Sequence, residues 1–143
     1  MGNNFCHVEL NTTDVTGAEA FYRQLFDWKI AKYPGMDYLG INTGSKESGG
    51  GIQSKQMAEA PTSWLPYVQV KDVKATIGQA HALGARVVVD YMGLPDGSSL
   101  GVFVDPTGAG LGVWAPAPKA AVAPKKKAAP KKKVAAKKAK KKR

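Results

Sequence analysis

The sequence predicts an α+β fold in which two tandem βαβββ modules form one mixed sheet, followed by a C-terminal tail without a core. Several short segments alternate apolar and polar residues with a period of two, which is typical of half-buried strands. Two longer segments repeat their apolar residues with helical spacing. The two halves also match at an offset of 58 residues, with Asp14-Val15 opposite Asp72-Val73 and Leu25 opposite Leu83. A repeat of that length indicates a duplicated module.

The elements of the first module follow one another at short intervals. Phe5 to Asn11 alternates and predicts a strand, with its polar residues on one face. Asp14 supplies a helix cap, and Val15 to Phe26 predicts an amphipathic helix. Further strands are expected at residues 28–33, at 37–43 and, after a glycine-rich segment, at 52–53. We expect those glycines to mark bulges or close backbone contacts.

The second module repeats this order after a linker at residues 57–63. A strand is expected at residues 64–70, and a helix begins at Asp72-Val73 and is closed by Gly84. Strands at 86–92, 100–105 and 110–114 complete it. The modules therefore span about residues 5–56 and 64–115, and residues 1–115 form one domain.

The distribution of charged residues divides the chain at the same boundary, after residue 115. Residues 1–115 carry 8 Lys and Arg against 11 Asp and Glu, a formal charge of −3. Residues 116–143 carry 13 Lys and Arg, no acidic residue and no aromatic residue. Such a Lys/Ala/Pro-rich segment cannot bury a core, so we expect a disordered tail. A polycationic strand favours polyanionic partners.

Size and composition exclude several classes of protein. The single cysteine, Cys6, rules out an intramolecular disulfide and fits a reducing compartment. No segment approaches the ~20 apolar residues that span a bilayer, and the start lacks the pattern of a signal peptide. We expect a cytoplasmic protein without a membrane partner, associated with the nucleoid if the tail binds DNA.

The motifs in their order resemble the vicinal oxygen chelate superfamily, which includes glyoxalase I, bleomycin-resistance proteins and extradiol dioxygenases. The first half carries His7-Val-Glu-Leu-x-x-x-Asp14 and a helix ending Leu25-Phe26-x-Trp28. The second half carries Tyr67-Val-Gln-Val-Lys-Asp72-Val73 and Phe103-Val-Asp105-Pro106-x-Gly108. This resemblance implies that the paired modules curl their sheet into a cup that holds a ligand, often with a divalent metal, and that homodimers are plausible.

Metal-dependent members of the superfamily place ligands on the first and last strands of each module, and this chain departs from that pattern. His7 stands at the first of these positions, but Leu65 takes the equivalent position in the second module. Gly112 stands where the last strand of that module typically carries Glu. Because a catalytic metal needs about three protein ligands, we expect no metal and no other cofactor. A divalent metal held by His7, Glu9 and Gln53 remains the alternative.

His7 and Glu9 lie two residues apart on one strand and share a face. They are the candidate catalytic pair, because a histidine beside a carboxylate can act as a general base near neutral pH. The simpler reading is that they line a wet cavity without doing chemistry. His81 lies on the second helix, where a surface role is expected.

Strand parity gives the rest of the expected ligand site. In phase with His7 and Glu9 are Asn11, Leu65, Tyr67, Gln69, Gly110, Gly112 and Trp114. The ligand-binding candidates are His7, Glu9, Tyr67, Gln69 and Trp114. Aromatic surface with amides and one acid suits a planar or amphipathic small molecule. The alternative is that Tyr67 and Trp114 fill the cup as core.

The tail resembles the C-terminal tails of linker histones and of bacterial histone-like proteins. Lysine provides point charges without the fork of arginine, so contacts to phosphate are expected and base reading is not. The expected nucleic-acid contacts are Lys125, Lys126, Lys127, Lys131, Lys132, Lys133, Lys137, Lys138, Lys140, Lys141, Lys142 and Arg143. The sequence leaves the choice between DNA and RNA open.

Three functional hypotheses follow from these features. The first is a small-molecule-binding protein of the vicinal oxygen chelate type, without the usual metal, whose tail binds nucleic acid non-specifically. The second is a glyoxalase-like lyase or dioxygenase with an atypical metal site around His7. The third is a nucleoid-associated protein that uses its domain as a dimerising scaffold.

Overall fold

A computed structural model describes residues 2–46 and 49–119 and contains the predicted succession of strands and helices. The elements are β1 (Phe5–Thr12), α1 (Val15–Leu25), β2 (Lys29–Lys32), β3 (Leu39–Asn42), β4 (Gly49–Ser54), β5 (Ser63–Gln69), α2 (Val73–Ala82), β6 (Arg86–Gly93), β7 (Ser99–Val104) and β8 (Gly110–Ala115). The α+β fold with two βαβββ halves is therefore confirmed.

The strands form one eight-stranded mixed sheet in the order β2-β3-β4-β1-β5-β8-β7-β6. Within each half, the first strand pairs in parallel with the last, β1 with β4 and β5 with β8. The halves join where β1 runs antiparallel to β5. The first strands of both modules thus lie side by side at the centre of the sheet, which brings their polar faces together.

The two helices begin in the same way, which explains the strongest part of the sequence repeat. The Asp14 carboxylate accepts a hydrogen bond from the Gly17 backbone N–H at 2.8 Å. The Asp72 carboxylate does the same with the Ala75 N–H at 3.0 Å. Each aspartate caps its helix by pairing a backbone donor that has no partner within the helix.

Both helices cover one face of the sheet, and a hydrophobic core lies under each. Leu10, Ile30, Ile41 and Ile52 form the core beneath α1, and Val70, Val73, Ile77, Val113 and Ala115 form the core beneath α2. Because side chains alternate along a strand, the residues flanking Leu10 and Val113 point the other way. That second surface, which carries His7, Glu9 and Tyr67, is called the helix-free face below.

The boundaries differ from the sequence prediction by one or two residues in several elements, and by three at the start of β4. The strand begins at Gly49 rather than at Ile52, so the glycine-rich segment is part of the sheet. Gly50 and Gly51 pair with Val8 and Glu9 of β1. Gly51 allows the Tyr38 ring to approach the backbone of β4 closely, because a side chain at Gly51 would overlap that ring. The backbone hydrogen bonds of the ladder compensate for the low strand propensity of glycine.

The tail expected at residues 116–143 falls mostly outside the described residues. Pro116 to Lys119 follow β8 without regular structure, and residues 120–143 are not described. Among the residues that are described, no helix is long and apolar enough to cross a membrane.

Candidate functional site

The candidate site lies on the helix-free face, along the seam between the two modules. His7 and Glu9 of β1 stand next to Tyr67 and Leu65 of β5 in the antiparallel register. Tyr67 occupies the repeat position of Glu9, 58 residues on, and its hydroxyl reaches Glu9 directly. The duplication therefore places a tyrosine of one module against a carboxylate of the other.

Glu9 is the centre of a hydrogen-bond network. The residue is only 5% exposed. Its Oε1 accepts hydrogen bonds from Gln53 Nε2 at 2.7 Å, from the Tyr67 hydroxyl at 3.2 Å and from Asn11 Nδ2 at 3.3 Å. Gln53 also donates to Asn11 Oδ1 at 3.0 Å, which fixes both amides. A buried carboxylate needs such partners, since burying it without them is costly.

His7 is held by a tyrosine from the edge of the first module. The hydroxyl of Tyr38, just before β3, lies 2.6 Å from His7 Nε2. The His7 ring stacks on Tyr38 and meets the Tyr67 ring edge-on, with centroids 6.3 and 5.9 Å apart. His7 therefore stands between two tyrosine rings.

Both tyrosine rings occupy space that two glycines leave free. A side chain on Gly51 of β4 would overlap the end of the Tyr38 ring. A side chain on Gly112 of β8 would overlap the Tyr67 ring, with its Cβ 2.7 Å from Tyr67 Cγ. Gly112 is paired with Tyr67 in the sheet register. The last strand of each module thus has a glycine at the position where a tyrosine ring packs against it.

Burial shifts the proton equilibria of the site towards neutral groups. Burial lowers the pKa of His7 below its usual range, so the imidazole is neutral at pH 7. Burial also raises the pKa of Glu9, although the hydrogen bonds from Asn11, Tyr67 and Gln53 act in the opposite direction. Tyr38 and Tyr67 have raised pKa values because of burial and the nearby Glu9 charge. Both hydroxyls therefore remain protonated and can donate hydrogen bonds.

The two modules contribute different kinds of side chain to the helix-free face. The first module supplies the carboxylate, the imidazole and the amides of Asn11 and Gln53. The second module supplies Tyr67, Leu65 opposite Glu9, Gln69 and, two residues beyond Gly112, Trp114. The first module is therefore the more polar side of the helix-free face, and the second module adds Leu65 and Trp114 as its apolar part, which suits an amphipathic molecule.

Gln69 and Trp114, two of the sequence-predicted site residues, lie further along the seam. They pair in register at the end of β5 and β8. Gln69 lines a surface groove of about 380 Å³ with Asn3, Lys71 and Asp72. None of the residues lining that groove belongs to the Glu9 network, so the structure does not bring Gln69 to the buried carboxylate.

Tyr38 is the site residue that sequence reasoning missed. It shares a face with Gly40 and lies opposite in phase to Leu39 and Ile41, of which Ile41 is buried in the core. Alternation alone would have placed Tyr38 on the helix-free face. Only the tertiary contact with His7 gives it a role, because the two residues are 31 positions apart.

The residues at the site do not fit the divalent metal that many superfamily members hold. In the described ranges, no three His, Cys, Asp or Glu side chains come together. His7 Nε2 already contacts the Tyr38 hydroxyl, and Glu9 Oε1 accepts three donors. The side-chain positions of Gly51 and Gly112 are taken by tyrosine rings. The described side chains of this site therefore do not fit a divalent metal.

The twelve basic residues from Lys125 to Arg143 all lie outside the described residues. His81 lies exposed on α2, as expected for a surface residue.

Comparison with known sequences places residues 7–114 in one family. Those residues match the family described as the Glyoxalase-like domain. The proposed glyoxylase CFP32 of Mycobacterium tuberculosis, and its counterpart in Mycobacterium bovis, are 27% identical over 113 residues. The match covers 75% of this chain and 43% of each relative, so this chain spans less than half of their length.

Solved structures share the fold at low sequence identity. Methylmalonyl-CoA epimerase from Mycobacterium tuberculosis superposes with a TM-score of 0.61 at 14% identity, covering 80% of this chain and 88% of that one. The Mn(II)-bound glyoxalase from Novosphingobium aromaticivorans gives 0.56 at 15% identity, covering 78% and 37%. A glyoxalase/bleomycin resistance protein/dioxygenase superfamily member from Vibrio splendidus 12B01 gives 0.56 at 8% identity, covering 80% and 98%.

Proposed function

Because the chain belongs to the glyoxalase-like domain family, we propose that it binds a small amphipathic molecule on its helix-free face without a resident metal. We further propose that its basic tail holds it on nucleic acid. The observation that carries the first proposal is the buried Glu9 carboxylate, with three donors on one oxygen and an apolar surface beside it.

Burying the Glu9 carboxylate costs more folding free energy than burying an apolar residue at the same position would. Perturbed carboxylates in clefts are therefore candidates for ligand recognition. Glu9 and neutral His7 would bind the polar group of the ligand, and Leu65 and Trp114 would contact its apolar part. The Tyr38 hydroxyl, next to His7, would be the group that a ligand oxygen or nitrogen replaces.

The glycines favour binding over metal-assisted chemistry. Positions where related modules would carry a ligand side chain hold Gly112 and Leu65 in this chain. The tyrosine rings over Gly51 and Gly112 leave no volume for an added carboxylate. A glyoxalase-like lyase or dioxygenase would need three protein ligands in this place, which makes metal content the decisive measurement.

Native mass spectrometry of the full-length protein distinguishes metal-free binding of a small molecule from a metal-dependent lyase or dioxygenase function. We expect the protein from cells to carry an organic adduct and no stoichiometric Mn, Fe, Ni or Zn. We expect His7→Ala to lose the adduct, and His81→Ala, which changes an exposed histidine on α2, to keep it. A stoichiometric metal present in the wild type and in His81→Ala but absent from His7→Ala would contradict the metal-free proposal.

The proposal for the tail is supported by charge distribution alone. Twelve Lys and Arg and no acidic residue stand between Lys125 and Arg143, next to a domain with a formal charge of −3. A polycation binds nucleic acid by releasing condensed counterions, so affinity falls steeply with salt. Without aromatic residues for stacking, the tail would contact phosphates and not read sequence.

The tail is tested on the full-length chain by fluorescence anisotropy with a duplex DNA and a matched RNA hairpin. With its eleven lysines from Lys125 to Lys142 replaced by glutamine, the chain keeps its length. We expect that replacement to lower affinity by ~10³-fold or more at low salt and to flatten a log–log salt slope of roughly −10. Unchanged affinity would overturn the proposal. The nucleoid-associated function makes a different prediction: the protein would compact DNA as a dimer and would lose compaction together with dimerisation.

A further inference from the structure

Glu9 is a buried acid that no described basic side chain pairs with. It is only 5% exposed, and folded proteins usually place a buried charge beside an opposite charge or a metal. In the described part of the chain, the ion pair is Arg23–Glu19. That pair lies on α1 and therefore on the other face of the sheet. The described residues thus stabilise the Glu9 carboxylate through neutral hydrogen-bond donors alone.

The titratable groups that face Glu9 are neutral as well. Burial lowers the pKa of His7, so its imidazole carries no charge at pH 7. The pKa values of Tyr38 and Tyr67 are raised by burial and by the Glu9 charge, so both hydroxyls stay protonated. Burial raises the pKa of Glu9 itself, and no neighbouring positive charge offsets that shift.

One oxygen of the Glu9 carboxylate is available to a further donor. The hydrogen bonds from Gln53, Tyr67 and Asn11 all end on Oε1, and Oε2 accepts none of them. Among the described residues, no buried side-chain nitrogen or oxygen lacks a hydrogen-bond partner, so Oε2 is not sealed inside the protein. The short contact of the Tyr38 hydroxyl, at 2.6 Å, is with His7 Nε2. A ligand can therefore add its donor at Oε2.

We propose that the polar group of the ligand is a protonated amine, which donates an N–H to Glu9 Oε2 and brings the positive charge that the neighbouring side chains do not supply. The inference rests on the proposed binding function of the helix-free face and names the class of molecule that binds there. Hydrogen bonds between ions are shorter and about twice as strong as neutral ones. The carboxylate is already desolvated in the free protein, so the amine alone loses water on binding.

The same charges exclude anionic ligands. A carboxylate or phosphate at this place would meet the Glu9 charge without a basic side chain to balance it. Residues 1–115 also carry a formal charge of −3, which attracts cations and repels anions before contact.

The groups beside Glu9 favour an amine with an aromatic body. Leu65 pairs with Glu9 across the seam between β1 and β5. The His7 ring lies between the rings of Tyr38 and Tyr67, with centroids 6.3 and 5.9 Å away. Aromatic rings stabilise a nearby ammonium group through cation–π attraction and also pack against an aromatic body. An arylalkyl amine combines the two.

Three probes with the same phenyl body and different end groups test this class: phenethylamine, 2-phenylethanol and 3-phenylpropanoate. Their binding to the full-length protein is measured by ligand-observed NMR titration at about pH 8, where an alkylamine with a pKa of about 10 is protonated. We expect the amine to bind about tenfold more tightly than the alcohol, because a charged hydrogen bond is stronger than a neutral one. The propanoate should not bind.

Two matched variants assign the preference to Glu9. Glu9→Gln keeps an oxygen and removes the charge, so the affinity for the amine should fall to within about threefold of that for the alcohol. Glu59→Gln makes the same change at an exposed acid between β4 and β5 and should leave the preference unchanged. Equal affinity for amine and alcohol in the wild type would overturn the inference. So would a preference for the amine that survives Glu9→Gln, or a protein that binds none of the probes.

These failures can be told apart from failure of the proposed function. Binding of the alcohol that His7→Ala abolishes would keep a binding site on the helix-free face and reject only the amine. The organic adduct in native mass spectrometry uses none of the probes, so it judges the proposed function separately.

The lysines of the tail carry the same ammonium group, and one further variant distinguishes them from a free amine. It is the chain with its eleven lysines from Lys125 to Lys142 replaced by glutamine. We expect unchanged affinity for phenethylamine, because lysine lacks the aromatic body that the rings beside Glu9 favour. An affinity that rises about tenfold or more would show that a tail lysine competes for Glu9, and it would overturn the assignment to a free small molecule.

Discussion

Replacing Gly112 by alanine is expected to destabilise the fold by about 3 kcal/mol, near the upper end for overpacking a core. The added methyl group would overlap one edge of the Tyr67 ring, with the Cβ 2.7 Å from Cγ and closer still to Cδ1 and Cε1. Tyr67 is buried, so its ring cannot move without breaking its hydrogen bond to Glu9 and opening the seam. The measurement is thermal and urea unfolding of the full-length protein, where a loss on the order of 10 °C in Tm is expected.

Two further variants identify the cause of that loss. Gly78→Ala makes the same chemical change on exposed α2, where no atom lies within 4 Å of the added Cβ, so it should stabilise by ~0.5–1 kcal/mol. In a Tyr67→Ala background, the cost of Gly112→Ala should fall below about 1 kcal/mol, because the obstructing ring is gone. An undiminished cost there would show that the ring is not what Gly112 accommodates.

Replacing Glu9 by alanine is the second large effect. The change leaves the Asn11 amide, the Gln53 amide and the Tyr67 hydroxyl without their common acceptor at a buried position. Unsatisfied buried donors cost about 1–3 kcal/mol each, and local rearrangement recovers part of that, so a total loss of roughly 3 kcal/mol is expected. Glu9→Gln keeps an oxygen in the same place and should cost less than about 1 kcal/mol. Equal losses in the two variants would contradict the network.

The pH dependence of Glu9→Gln against wild type reports on the same carboxyl group. Burial raises the pKa of Glu9 above its ordinary value of 4.5. The folded state therefore holds the proton more tightly than the unfolded state, and stability falls as pH rises from 4.5 through the raised value. Relative to Glu9→Gln, we expect the wild type to lose stability over that window and to show a constant difference below it.

The other groups facing Glu9 do not confuse this comparison. His7, whose pKa burial lowers from 6.5, is present in both proteins, so its contribution largely cancels in the difference. Tyr38 and Tyr67 have raised pKa values and do not titrate in the window. A wild type that gained stability relative to Glu9→Gln as pH rose through the window would show instead that Glu9 is stabilised in its charged form.

The fold could be predicted from local sequence because its signals are local. Alternation identified the strands, since side chains on a strand point to opposite faces at every second residue. Asp14 and Asp72 marked the helix starts because a capping carboxylate acts within three residues. The start of β4 was missed because glycine carries no periodicity, and only the pairing of Gly50 and Gly51 with β1 reveals the strand.

The site was predicted only in part, because local sequence signals do not encode contacts between residues far apart in the chain. Parity placed His7, Glu9 and Tyr67 on one face, but it gave no distances between strands. Tyr38 was overlooked although its hydroxyl lies 2.6 Å from His7, because helix α1 and strand β2 lie between the two residues in sequence. Gly112 was recognised as a missing ligand position, whereas the tyrosine ring that takes its place could not be foreseen.

The sequence by itself predicted the duplicated βαβββ plan, the residues that share a face of the central strands and the division of charge between residues 1–115 and the basic tail. These follow from periodicity, capping and charge, which depend on residues near one another in the chain. The tertiary structure alone decided that Glu9 is buried under three donors and that Tyr38 and Tyr67 fill the space above two glycines. Apart from the Asn11–Glu9 hydrogen bond, these contacts join residues more than ten positions apart, and their energies depend on distance and burial, which no local pattern encodes.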